Sequence, residues 1–176
     1  MKQDFNLFYQ ELIKEINLVR KSPLEYTCKI DQHSNFITFK DGRYIYENGD
    51  NKFILNRGLP AFKDCINILT NIGEGISELK LSDRIKLEVP DNVEEHMKYE
   101  SSFKALKECH QDKDIELNID INYPIAEQIV ILMLIDDNKF NGKRRNNLLS
   151  KQFKEVGMSM KKGRGRHYTI YLTFSN

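Results

Sequence analysis

Apolar residues recur at spacings of three and four through the start of the chain: Phe5, Phe8, Leu12, Ile16 and Val19. That spacing places them on one face of a helix, with Asp4 positioned to cap it. The stretch SPLE then restarts the chain, with Ser22 as N-cap, Pro23 at the first helical position and Glu25 completing a capping box. One helix therefore ends near Lys21 and a shorter one follows. Residues 32–58 lose this period. There, FITFKDGRYIYENGDNKF sets an Asp-Gly turn between β-prone runs, which predicts a hairpin or an ordered loop. Helical spacing returns in LPAFKDCINILTNIG, with Leu59, Phe62, Ile66 and Leu69 on one side and Gly73 as the stop. The segment LSDRIKLEVPDNVEEHMKY reads as a helix kinked or split at Pro90. SSFKALKE reads as another short helix, capped by Ser101 or Ser102.

Two patterns close the chain. YPIAEQIVILMLIDD is rich in β-branched residues, which a buried strand would tolerate. Its length, and Pro124 at a start position, favour a buried helix. In EVGMSMKKGRGRHYTIYLTF, Val156, Met158 and Met160 alternate on one arm and Tyr168, Ile170, Leu172 and Phe174 on the other. That is a β-hairpin whose loop is the basic KKGRGR. Helices first and an antiparallel pair last predict an α+β fold, and neither a repeat nor a low-complexity linker divides residues 1–176.

Composition narrows the class. A chain of 176 residues with 40% hydrophobic and 30% charged content is globular, and at this length it buries roughly 70% of its unfolded surface. Lys and Arg total 27 against 26 Asp and Glu, so the chain as a whole is not built for electrostatic capture of nucleic acid or acidic membranes. Cys28, Cys65 and Cys109 are scattered, without a CxxC or Cys/His cluster, and predict reduced thiols rather than a zinc site or a disulfide framework. The N-terminal twenty residues carry Asp4, Glu11, Lys14 and Glu15 among their apolar positions, unlike a signal peptide. The run IVILMLI has only seven residues, too few for a membrane span. The expectation is an intracellular chain, cytoplasmic or cytoskeletal, without a cofactor.

Candidate chemistry concentrates in LMLIDDNKFNGKRRNNLL. Asp136 and Asp137 end a helix, where carboxylates oppose the dipole and need cations. Arg144 and Arg145 lie close enough in sequence to supply them, and Asn146 to satisfy neighbouring backbone groups. A structural pin of Asp136, Asp137, Arg144 and Asn146 is favoured over a phosphate grip. The best candidate for an acidic partner or RNA is a basic patch: Lys161, Lys162, Arg164 and Arg166, extended by Lys143 and Arg145 if the fold brings them near. Its competing reading is a solvated hairpin loop. Among the histidines, His96 reads as a surface residue and His110 as unsuited to pair with the adjacent Cys109. His33 lies in the irregular region without a readable partner, and His167 at a loop edge. Neither a nucleophile elbow nor a nucleotide-binding glycine motif occurs.

The order of these pieces resembles the CAP superfamily, the SCP-like α-β-α sandwich, over nearly the whole chain. ELIKEINLVRKSPLEY looks like that family's first helix, and LPAFKDCINIL followed by ISELKLSDRI is similar to segments of its microbial and protist branch. LIDDNKFNGKRRNNLLSKQFKEVGMSM looks like its LIDDGxxxRGHRxNLLxPxFxxVGV stretch, and HYTIYLTFS resembles its closing strand. The resemblance implies helices around a small antiparallel sheet, and a cavity where two histidines and two acids hold a divalent metal. Here Lys143 and Asn92 stand at the histidine positions, with Glu95 and Glu116 at acidic ones. A protonated lysine has no lone pair to give, and Asn is a poor substitute for imidazole. The expectation is therefore a degenerate cavity without metal and a non-catalytic module, acting as a protein-interaction or structural subunit of a larger assembly such as a cytoskeletal or axonemal lattice. A lipid- or sterol-binding role, an RNA-binding role through residues 161–167, and an unusual His/Glu hydrolase remain as alternatives.

Overall fold

The computed structural model describes residues 5–49, 51–88, 96–122, 124–137, 141–162 and 168–176. Helix α1 (Asn6–Lys21) buries Phe8, Leu12, Ile16 and Val19, the stripe its period predicts. It stops at Ser22, whose N–H donates to the Leu18 carbonyl at 3.0 Å. Helix α2 (Pro23–Ser34) begins with Pro23 in the first turn, but the Ser22 side chain makes no capping hydrogen bond, so the predicted box is not formed. Asp4 lies outside the described residues.

The irregular region is ordered as an antiparallel sheet: β1 (Ile37–Lys40), β2 (Arg43–Asn48) and β3 (Asn51–Leu55). Asp41 and Gly42 both take positive φ, 52° and 74°, as a two-residue hairpin turn of this hand requires. Helix α3 (Leu59–Ile72) follows Gly58, which sits at φ 60° with the Tyr44 ring where a Cβ would project. It buries Ala61, Phe62, Cys65 and Leu69, while Leu59 lies exposed at its start.

The second sheet runs β4-β6-β7-β5. The two-residue β4 (Lys80–Leu81) pairs parallel with β6 (Glu155–Lys162); β7 (Tyr168–Ser175) pairs antiparallel with both β6 and β5 (Ile115–Asn122). The C-terminal hairpin thus forms the centre of the sheet. Val156, Met158, Met160, Ile170, Leu172 and Phe174 turn from one face into the main core, which they share with α1, α2, α3 and the hydrophobic helix α5 (Ala126–Ile135). A short α6 (Lys143–Leu149) completes that layer. The opposite face carries Gly157, Ser159, Tyr171 and Thr173. It is covered by residues 82–88 and, through a Tyr99–Tyr171 ring contact at 6.2 Å, by α4 (His96–Cys109). The described residues therefore form a mixed α+β fold with two sheets.

Two expectations are corrected. Residues 81–88 do not form a helix: Leu81 belongs to β4, Asp83–Ile85 is one 3-10 turn, and the chain then extends. Ser82 donates its N–H to Val156 at 2.9 Å, Thr173 and Ser159 hydroxyls bond the Ile85 and Leu87 carbonyls, and Gly157 leaves room for the Ile85 carbonyl. These bonds to the sheet outweigh local helical preference. Ser101 and Ser102 lie inside α4 rather than capping it. Pro90 lies outside the described residues. The strand at 115–122 was not anticipated, although Ile115, Leu117, Ile119 and Ile121 alternate.

Candidate functional site

The site is built where α5 ends against α6 and β5. Asp136 closes α5 in the left-handed conformation, φ 40° and ψ 59°. Its carboxylate is fully enclosed and accepts two bonds from one residue: the Arg144 backbone N–H at 3.0 Å and the Arg144 Nε at 3.1 Å. The same guanidinium donates to Asp120 Oδ1 at 3.1 Å and to the Leu132 carbonyl at 3.2 Å. The Arg144 carbonyl in turn accepts from Asn118 Nδ2 at 2.9 Å, and Asn147 Nδ2 bonds Asn118 Oδ1 at 2.8 Å. Arg144 thus ties the end of α5, the start of α6 and β5 together through charge-assisted bonds.

The other members of the expected pin act differently. Among the described residues no arginine side chain pairs with Asp137; its carboxylate accepts the backbone N–H groups of Asn56 and of Arg57, the latter at 2.8 Å, and so anchors the loop before α3. Arg145 donates to the Leu134 carbonyl at 3.0 Å. Asn146 exposes its side chain, and its neighbour Asn147 makes the inward amide bond instead.

Beside this knot lies a crevice of about 460 Å³ whose wall includes Asp114, Glu116, Lys143, Asn146, Gln152 and Phe153. Two of the four expected cavity positions meet here: Lys143 Nζ is 2.8 Å from Glu116 Oε2. Lys107 stands on the other side of Glu116, at 4.0 Å from Oε1. An ammonium therefore stands beside the Glu116 carboxylate in the wall of the crevice. Among the described residues no group of three His, Cys, Asp or Glu side chains is placed to hold a metal ion. What the crevice offers a ligand is amide hydrogen bonding and an ion pair that can be exchanged. Asn92 and Glu95 lie outside the described residues.

Among the described residues, Lys143 lies away from the Lys161–Lys162 end of the expected basic patch. Glu116, which holds Lys143, pairs across the sheet with Phe174, whereas Lys162 pairs with Tyr168, six residues further along β7. That separates the two sites by roughly 20 Å at the usual rise per strand residue. Arg145 is committed to its carbonyl. Lys161 and Lys162 alternate across the end of β6, and Arg164, Arg166 and His167 lie outside the described residues.

Sequence reasoning missed two polar centres. Arg20 is fully buried in α1, with no carboxylate partner among the described residues. Its guanidinium donates to four backbone carbonyls, those of Ser77 at 2.8 Å, Leu148 at 2.7 Å, Ser150 at 3.0 Å and Phe153 at 3.3 Å. Burial pulls it down to about 10, which leaves it protonated at neutral pH. One turn earlier, Asn17 pairs with Leu79 through both its amide groups, at 3.0 and 2.8 Å. Their three-residue spacing in INLVR, which puts both polar side chains on one helix face, was the available signal.

The second centre surrounds His33, which lies in the last turn of α2 rather than in a loop. Its buried ring has Nδ1 2.7 Å from the Tyr46 hydroxyl and Nε2 2.9 Å from Glu127 Oε1. Lys29 bridges Glu127 Oε2 at 2.7 Å and Glu15 Oε1 at 2.8 Å, and the Tyr26 hydroxyl donates to Glu15 at 2.6 Å. Only the fold brings these residues from α1, α2, β2 and α5 together. His110 contacts the Arg84 carbonyl at 3.1 Å, and of the His96 side chain nothing is described.

Comparison of the chain with family models, curated proteins and solved structures finds no match. No helix among the described residues is long and apolar enough to cross a membrane.

Proposed function

We propose that this chain is a non-catalytic CAP-like module that serves as an interaction or structural subunit of a larger assembly. The observation that carries the reading is the Lys143–Glu116 ion pair at 2.8 Å, in the crevice where the resemblance sets a metal cavity. A cation supplied by the chain itself stands beside the acid, at the contact an ion would otherwise take. The neighbouring Arg144, Asn118 and Asn147 are engaged in holding backbone and one another, not held open for a substrate. These side chains make a rigid corner rather than a reactive one.

The experiment is sedimentation of native extract beside the purified full chain, joined to calorimetric titration with Zn²⁺, Ca²⁺ and Mg²⁺. The reading expects the chain to sediment in extract as part of a particle well above its own 20.8 kDa, and to take up none of the three ions at the crevice. A monomer in extract, or ion binding abolished by Glu116→Gln, overturns it.

A further inference from the structure

The His33 cluster joins the small sheet to the helices, and its hydrogen bonds have a direction. With a neutral ring whose Nε2–H faces Glu127, Nδ1 accepts the Tyr46 hydroxyl proton, and the Tyr46 oxygen is free to accept from Asn48 Nδ2, 3.4 Å away. If the ring gains a proton, both nitrogens become donors. Nδ1–H then points at the Tyr46 oxygen, and the hydroxyl proton must turn elsewhere. Tyr46 is fully buried, so that proton needs a protein acceptor. Asn48 can provide one by rotating its amide so that Oδ1 replaces Nδ2.

We propose that proton uptake at His33 is a conformational relay, which reverses the Tyr46 hydroxyl and turns the Asn48 amide at the end of β2. The titratable groups near the ring come from four elements. From α1 comes Glu15, from α2 Lys29 and the Tyr26 hydroxyl, from α5 Glu127, and from β2 only the uncharged Tyr46. The Phe36 ring edge-on at 5.5 Å and the Tyr46 ring stacked at 6.1 Å hold the imidazole against rotation, so the change passes along the hydrogen bonds.

The test is NMR of the full chain from pH 8 to pH 5, following the His33 imidazole nitrogens and the Asn48 side-chain amide. Wild type is expected to show both titrating with one midpoint. In Tyr46→Phe the ring still titrates, but the Asn48 amide shift loses most of its pH dependence. His33→Gln, which keeps a polar side chain in the site, also makes the Asn48 amide insensitive to pH. An imidazole that stays neutral to pH 5 in the folded chain, or an Asn48 amide that moves equally in wild type and Tyr46→Phe, overturns the relay.

Discussion

Single side chains in this protein often stand in for missing backbone pairing. Arg20 is the clearest case, since four carbonyls from two separate segments converge on one guanidinium. Replacing it by Met leaves those acceptors without a donor. Arg20→Met should lower unfolding free energy by about 3 kcal/mol, read as an earlier urea midpoint with an unchanged slope. Cysteine reactivity is a second property at this scale. Burial pushes the Cys65 thiol up to about 12, with the Arg145 charge opposing it, whereas Cys28 and Cys109 are exposed. A thiol reagent at pH 8 should label two cysteines quickly in the native chain and the third only after denaturant is added. Three fast thiols would contradict the packing of α3.

Elements are joined by charge as well as by apolar contact. Burial alone would raise the Glu127 carboxyl, but hydrogen bonds from Lys29 and His33 prevail and hold it below its usual value of 4.5. A carboxyl depressed in the folded state stabilises above its unfolded value, and that contribution is lost as pH falls through the folded one. The α2–α5 junction should therefore weaken below about pH 4.5. Glu127→Gln should be less stable than wild type at pH 7, with the gap narrowing by pH 3.5 in paired urea melts. A gap that stays constant would show that the carboxylate contributes nothing through its charge. On the other side of α5, the left-handed Asp136 is tolerated because Arg144 bonds both of its oxygens.

At the level of the whole molecule, the two sheets have unequal protection. Strands β6 and β7 lie inside the larger sheet, with the core on one face and residues 82–88 on the other. Strand β1 is an edge, and Thr38, Phe39 and Lys40 are all exposed. Hydrogen exchange should leave β6 and β7 amides among the slowest and β1 among the fastest. Protection of β1 equal to β7 would mean that its free edge is covered in solution. The larger sheet's own β5 edge is flanked by Lys107, Glu116 and Lys143, charges that discourage strand pairing with another chain.

Local pattern was enough for the elements whose burial follows their own period, α1, α3 and the β6–β7 hairpin with the Asp41–Gly42 turn, and for α5, whose unbroken apolar run is buried all round. It also singled out Asp136 and Arg144, because seven intervening residues and a glycine turn bring them together by chain connectivity. It could not place what depends on a distant neighbour. Residues 81–88 look helical until the Ser159 and Thr173 hydroxyls draw their carbonyls onto the sheet, and Asp137 looks like an arginine partner until the loop at Asn56 supplies two amides. His33 and Glu127, ninety-four positions apart, become partners only when α2 and α5 pack. Periodicity reports which side of an element avoids water; the bond each buried polar group makes is set by whichever donor or acceptor tertiary packing carries within about 3 Å of it.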